Sequence, residues 1–108
     1  MLKNKVAIYV PSTIKVDQQT DNTEQVNNTC VFLSGLFGGC TSVNTSGCWI
    51  DSKNQLIKEN VTIIYSFCDN IQFFRNRKKV IVYCKKLCRE MSQECISLEI
   101  NNKLYFIN

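Results

Sequence analysis

The side chains in this sequence with the clearest capacity for chemistry are thiols and carboxylates, because the chain contains no histidine. Seven cysteines are scattered along it: Cys30, Cys40, Cys48, Cys68, Cys84, Cys88 and Cys95. None forms a C-x-x-C pair, whereas structural zinc sites show closely paired ligands, so neither a metal nor another cofactor is expected. The count is odd and no export signal precedes the cysteines, which argues for reduced thiols rather than a disulfide framework. A free cysteine packs as a small hydrophobe, and most of the seven occur where a core residue is expected. Cys84 and Cys88 share a segment with many cations that would favour a thiolate, but their spacing puts both on its apolar side.

Two carboxylates, Glu59 and Glu94, stand apart from the charge runs, each beside a predicted strand. They are the carboxylates of interest for acid–base work, but without a histidine or an activated nucleophile the case for catalysis is thin. In the bland reading Glu59 balances Lys53 or Lys58, and Glu94 caps a turn. The positive charge is local. Arg75, Arg77, Lys78, Lys79, Lys85, Lys86 and Arg89 supply seven of the thirteen basic residues, leaving six against nine acidic ones elsewhere. Such a cluster contacts phosphate or an acidic partner, or simply keeps a helix face solvated.

The stretch LFGGCTSVNTSGCWI at 36–50 resembles a ligand loop at first sight. Phosphate cradles place their glycines after a strand and before a helix N-terminus, where N–H groups and the helix dipole favour anions. Here Gly38-Gly39 follows a predicted helix, so it reads as a stop, and Asn44-Thr45-Ser46 reads as a turn between two short extended pieces, 40–43 and 47–50. The cysteines at 40 and 48 are expected to point into the core. Trp49, the only tryptophan, is left as core, dimer seam or pocket floor.

The elements that must position these residues follow from hydrophobic period. KVAIYV at 5–10 is a strand ended by Pro11. Asp21 and Glu24 have capping-box spacing, and Val26, Cys30, Leu33 and Phe37 share one helical face, which predicts helix one over about 21–37. After a polar turn at 51–55, Val61, Ile63, Tyr65 and Phe67 alternate with Thr62, Ile64 and Ser66 in what should be the longest, central strand. VIVY at 80–83 looks extended, but Val80, Cys84, Leu87, Cys88 and Met91 fall on one helical face, so 73–92 is helix two with a basic outer side. Ile96, Leu98 and Ile100 then point inward, and Asn101-Asn102 suits a tight hairpin returning as KLYFIN.

This order, strand, helix, strands, helix, strands, predicts one α+β domain over 1–108: a two-layer ferredoxin-like sandwich with a mainly antiparallel sheet and both helices on one face. At 108 residues one core is available, and 44% apolar with 20% charged residues suits a folded domain. The apolar runs are too short for a membrane span, which requires roughly 20 residues, so a cytoplasmic chain without membrane contact is expected. The sheet face left bare must be polar, bind something or pair with another chain. Thr62, Ile64 and Ser66 are assigned to that face. With Trp49 and Tyr65 needing homes nearby, homodimerisation through it is expected.

Taken together, IYVPST, LFGGCTSVNTSGCW, LIKENVTIIYSFC and QECISLEINNKLYFI resemble a group of small uncharacterised phage-, plasmid- and bacteria-encoded proteins with a ferredoxin-like fold. The resemblance spans nearly the whole chain and implies recurring marks at Trp49, Glu59 and Gln93-Glu94; the cysteine content departs from it. A mobile-element origin implies a counter-defence binding protein that occludes a host nuclease such as a CRISPR effector, or sequesters a signalling nucleotide. Two alternatives stand beside it: a nucleic-acid-binding accessory protein using the basic face of helix two, and a small enzyme using Glu59 and Glu94. The partner surface would comprise Arg75, Lys78, Lys79, Lys85, Lys86 and Arg89, and the pocket or dimer face Trp49, Glu59, Tyr65 and Glu94. The partners expected are a second copy and a host protein, nucleotide or nucleic acid.

Overall fold

A computed structural model describes residues 1–14, 18–19 and 21–108. Strand β1 (Asn4–Pro11) leads through a two-rung ribbon of β2 (Thr13–Ile14) and β3 (Gln18–Gln19) to helix α1 (Thr23–Phe37). Strands β4 (Thr41–Ile50) and β5 (Leu56–Cys68) follow, then helix α2 (Asn70–Glu90) and the hairpin β6 (Ile96–Ile100) and β7 (Lys103–Ile107). The main sheet has the order β4-β5-β1-β6-β7, and every neighbouring pair is antiparallel. β1, β4, β5 and β6 with the two helices make the β-α-β-β-α-β ferredoxin-like plan, and β7 extends it at one edge. No described helix is long and apolar enough to cross a membrane.

Local chemistry explains the element ends. Gly38 takes φ +90°, and its N–H returns to the Ser34 carbonyl, closing α1 as the Gly-Gly pair predicts. The start of α1 differs from expectation. Asn22 is the N-cap and makes no side-chain cap bond, while the Asp21 carboxylate accepts from the Thr23 N–H and hydroxyl rather than pairing with Glu24. α2 begins three residues earlier than its apolar period indicates. Asp69 accepts from the Gln72 N–H at 2.7 Å while the Gln72 side chain accepts from the Asp69 N–H at 3.2 Å, a complete capping box.

The core lies between helices and sheet. Val6, Ile8 and Val10 from β1, Ile64 from β5, Ile96 and Leu98 from β6, Leu33 from α1 and Val80, Leu87 and Met91 beside them are almost wholly buried. Cys68, Cys84 and Cys88 are core members as expected, and burial pushes the Cys84 thiol up to about 12. Cys40 is half-buried against the core, and Cys48 is exposed, correcting the inward orientation expected for it.

Two features of the sheet also correct the sequence reading. Asn44-Thr45-Ser46 is not a turn: β4 runs unbroken through it and pairs with β5 at ten consecutive positions. The polar side chains bond across the ribbon instead, Thr45 to the Val61 carbonyl at 2.8 Å and Thr62 to Asn44 at 3.2 Å. Second, the two sides of β5 are reversed. Thr62, Ile64 and Ser66 are buried beneath the helices, the Ser66 hydroxyl donating to the Gly39 carbonyl at 2.6 Å, while Val61, Ile63, Tyr65 and Phe67 lie on the bare face. Hydroxyls tolerate the covered side because each finds an acceptor there. β5 is the longest strand, but β1 occupies the centre of the sheet.

Ser46, Cys48 and Ile50 share the helix side of the sheet by alternation yet are exposed, so the outer half of the β4–β5 ribbon projects past the helices. At about 3.3 Å per residue β5 alone spans roughly 43 Å, close to the 47 Å long dimension of the molecule.

Candidate functional site

Where β1 ends, the chain brings three polar side chains together. Pro11 is the last residue of β1 to pair with β5, opposite Val61, and the Ser12 N–H then bonds the Asn60 carbonyl at 3.1 Å. This carries Thr13 over β5 to Glu59. The Thr13 hydroxyl donates to Glu59 Oε1 at 2.7 Å, and Gln93, from the segment after α2, donates through Nε2 to the Thr13 carbonyl at 2.8 Å and lies 3.4 Å from its hydroxyl. Thr13 is buried and Glu59 half-buried. The carboxylate is thus held from one side through one oxygen.

Its surroundings are those of a small cleft. Glu59, Gln93, Tyr9, Pro11, Cys95 and Ser97 line a cavity of about 160 Å³. The Tyr9 hydroxyl donates to Glu99 at 3.0 Å, and burial, reinforced by that carboxylate, pushes the phenol up, so it remains a protonated donor. Across the ladder Glu59 faces Gly47, which offers no side chain to cover it. Trp49 pairs with Ile57 on the same face, making it a diagonal neighbour of Glu59, a position within reach of a large ring. It is 46% exposed.

On the helix side of the same strand, Ser12, Asp21, Asn22, Asn44, Asn60 and Thr62 line a polar hollow of about 410 Å³ beside the start of α1. The Thr23 donors hold Asp21 below the usual carboxylate range, so it is an anion. The buried Ser12 hydroxyl has no partner among the described residues.

The structure therefore sorts the expected residues. Trp49 is a diagonal neighbour of Glu59 on the β4–β5 ladder but does not line its cavity, and Glu59 lies within β5, bonded to Thr13 rather than ion-paired with Lys53 or Lys58. Glu94 is exposed and does not line the Glu59 cavity; its neighbours Gln93 and Cys95 do. Tyr65 shares the bare face with Glu59 but lies six residues along β5, about 20 Å away. There it packs edge-on to Phe67 at 5.8 Å and under the Lys5 ammonium at 4.8 Å. Arg75, Lys78, Lys79, Lys85, Lys86 and Arg89 are all exposed on the outer side of α2, in the other layer from this cleft. Thr13, Tyr9 and Ser12 were not read from sequence. The strand-ending proline followed by two hydroxyl residues was the available signal, since it marks a chain leaving the sheet with free side-chain donors.

No family model matches the chain, and no curated protein matches it. Solved structures do. A phage SAM lyase in complex with S-methyl-5'-thioadenosine aligns with a TM-score of 0.69 and 21% identity, over 97% of this chain and 88% of that one. The apo state of a phage SAM lyase gives 0.68, with the same identity and coverage. These likenesses establish the ferredoxin-like α+β fold. They also overturn the expected function: the neighbours are phage enzymes acting on a small molecule, not occluders of a nuclease, traps for a signalling nucleotide or nucleic-acid accessory proteins. The pairing of Glu59 with Glu94 fails on geometry, because Glu94 does not line the cleft.

Proposed function

We propose that this chain binds SAM and cleaves it without water, as a SAM lyase, at the cleft around Glu59. The observation that supports the reading is a carboxylate fixed by Thr13 and open on its other side, with Tyr9 in the same cleft and Trp49 a diagonal neighbour on the ladder, in a chain of which 97% aligns with the fold of a phage SAM lyase. SAM carries two cations, the sulfonium and the α-ammonium. An oriented anion attracts such a ligand, and an exposed indole offers a face to adenine or to the sulfonium.

A lyase that leaves S-methyl-5'-thioadenosine breaks the bond between sulfur and Cγ of the amino-acid arm. The bonding pair goes to sulfur, turning the sulfonium into a neutral thioether. Cγ is satisfied when the ligand's own carboxylate oxygen attacks it, closing a five-membered lactone. No proton moves and no water enters, so a site without histidine suffices. Its task is to bind the cationic arm, fold the carboxylate back onto Cγ and exclude water. Glu59 holds the cationic end, Thr13 holds Glu59, Gln93 holds Thr13, and Trp49 covers the nucleoside.

Sites for ligands of this size occupy roughly 300–1,000 Å³, more than the 160 Å³ beside Glu59. The bare sheet face next to it carries Val43, Ile63, Phe67, Leu104 and Phe106, four of them at least 41% exposed. We therefore also propose that a second copy packs on this face and walls the cleft, in keeping with the expected self-association.

The test is to incubate the purified chain with SAM and follow S-methyl-5'-thioadenosine by chromatography, with sedimentation of the same sample. Wild type should form the product as an oligomer, and Glu59→Gln should lose at least about a hundredfold in rate, in keeping with loss of a key electrostatic contact. A wild-type chain that neither forms nor binds the thioether nucleoside would refute the proposal. Activity from a strict monomer would remove only the second copy.

A further inference from the structure

The helix layer carries a groove that SAM cleavage at Glu59 does not use. Along α2, Lys78, Lys79, Val82, Tyr83 and Lys86 recur at i, i+1, i+4, i+5 and i+8, which places them on one stripe of the helix. From α1, Phe32 stacks on Tyr83 with ring centroids 4.1 Å apart and planes 11° from parallel. Beside this stack lies a shallow, open hollow of about 420 Å³ lined by Phe32 of α1 and by Val82, Tyr83 and the three lysines of α2.

The lining of this hollow is carbon throughout. The lysines contribute their methylene stems as walls, so their ammonium groups stand at the rim. The floor presents no orphaned polar group either, because the Tyr83 hydroxyl lies 2.8 Å from that of Thr29 and burial keeps the phenol protonated. Val82 is 64% exposed at the edge of the floor. Among the described residues Lys86 pairs loosely with Glu90 at 3.8 Å, whereas Lys78 and Lys79 have no acidic partner, and residues 75–89 contain no Asp or Glu.

We infer that this groove docks an acidic amphipathic segment of another protein, with one or two large apolar side chains on the Phe32–Tyr83–Val82 floor and Glu or Asp residues against Lys78, Lys79 and Lys86. Charge complementarity selects this occupant. A second copy in a two-fold pairing would set the same cations face to face. A nucleic acid would find no donor on the floor for its bases, and a bilayer would meet a hollow between helices where an apolar ridge is needed. A helix laid in a groove by apolar anchors, with flanking charges, is a common mode of peptide recognition.

The experiment uses the full chain and a fluorescent synthetic helix of four turns with leucines on one face and glutamates flanking them. Its controls are the same peptide with glutamine for glutamate, phosphatidylserine vesicles and duplex DNA. The glutamate peptide should bind at least about tenfold more tightly than the glutamine peptide at low salt, with the difference shrinking as salt rises. Both Lys78→Glu/Lys79→Glu/Lys86→Glu and Val82→Asp should weaken it by about tenfold or more, while circular dichroism and SAM turnover stay as in wild type. These substitutions are on exposed positions, so folding is retained. The inference is overturned by equal binding of the two peptides, by no binding of either, by unchanged binding in both variants, or by tighter binding to vesicles or DNA. None of these outcomes bears on SAM cleavage, which is read separately.

Discussion

Replacing Thr13 with valine tests the Glu59 cleft without needing a ligand. Valine matches threonine in shape but removes the hydroxyl, while the Thr13 carbonyl that accepts from Gln93 at 2.8 Å is retained. What is lost is a 2.7 Å bond to a carboxylate at a residue only 4% exposed. Hydrogen bonds to charged groups contribute about 1.5–3 kcal/mol, and because Glu59 is half-buried water recovers part of this, leaving a loss of about 1–2 kcal/mol. A chain of 108 residues has an unfolding entropy near 0.23 kcal/mol per kelvin, from roughly 2.1 cal/mol/K per residue. The melting temperature should therefore fall by about 4–9 °C. Thr13→Ser keeps the hydroxyl and should recover most of that. In a double-mutant cycle with Glu59→Gln, the two losses should fall short of additivity by about 1 kcal/mol. Calorimetry on the four proteins decides. A Thr13→Val protein melting within about 1 °C of wild type, or a cycle with no coupling, would show that the Thr13–Glu59 bond does not hold the carboxylate.

Three further outcomes follow from the fold. Burial raises the Cys84 thiol from 9.0 to about 12, so the unfolded chain ionises first as pH rises. The stability this thiol confers is full below about pH 9 and is lost up to about pH 12, by about 1.4 kcal/mol per pH unit. Urea titrations across that range should show a shallower alkaline decline in Cys84→Ala than in wild type. Asp69→Ala removes the α2 capping box and should cost about 1 kcal/mol, or about 4 °C in melting temperature. Gly38→Ala meets no neighbouring atom but must hold φ +90°, which should cost about 1–2 kcal/mol by denaturant unfolding.

Period and turn chemistry made most of the architecture readable. The i, i+4, i+7 spacing of Val26, Cys30 and Leu33 and the wider period around VIVY located both helices, and Asn101-Asn102 took the left-handed conformations of a tight turn, with φ of 51° and 69°. Errors arose where a polar residue has two possible partners. Asn44-Thr45-Ser46 bonds across a ribbon rather than to its own backbone, and Thr62 and Ser66 find acceptors beneath the helices, so polarity pointed to the wrong side of β5. Asp69 and Gln72 were a readable capping box obscured by a starting point chosen from apolar period. At the cleft, Glu59 stood out in the sequence as a carboxylate apart from the charge runs, whereas Trp49 and Glu94 lie outside the cavity lining, which takes Gln93 and Cys95 instead. Pro11-Ser12-Thr13 marked a chain leaving the sheet, but the partners of Thr13 were not legible, because a contact between positions 13, 59 and 93 has no local signature.

The central place of β1 has a consequence for how the molecule is made. Its one side is filled by β5 and its other by β6, with Val6 opposite Ile100. Strand β1 therefore waits until β6 has been made before its ladder closes. Until residues 96–100 emerge, the growing chain has both helices but an unpaired inner edge running through its core, the kind of edge that recruits other strands. A polypeptide interrupted before β6 would be a hazard rather than a weaker version of the product. The contacts that end this exposure are among the most distant in the sequence, so slow closure is built into the strand order.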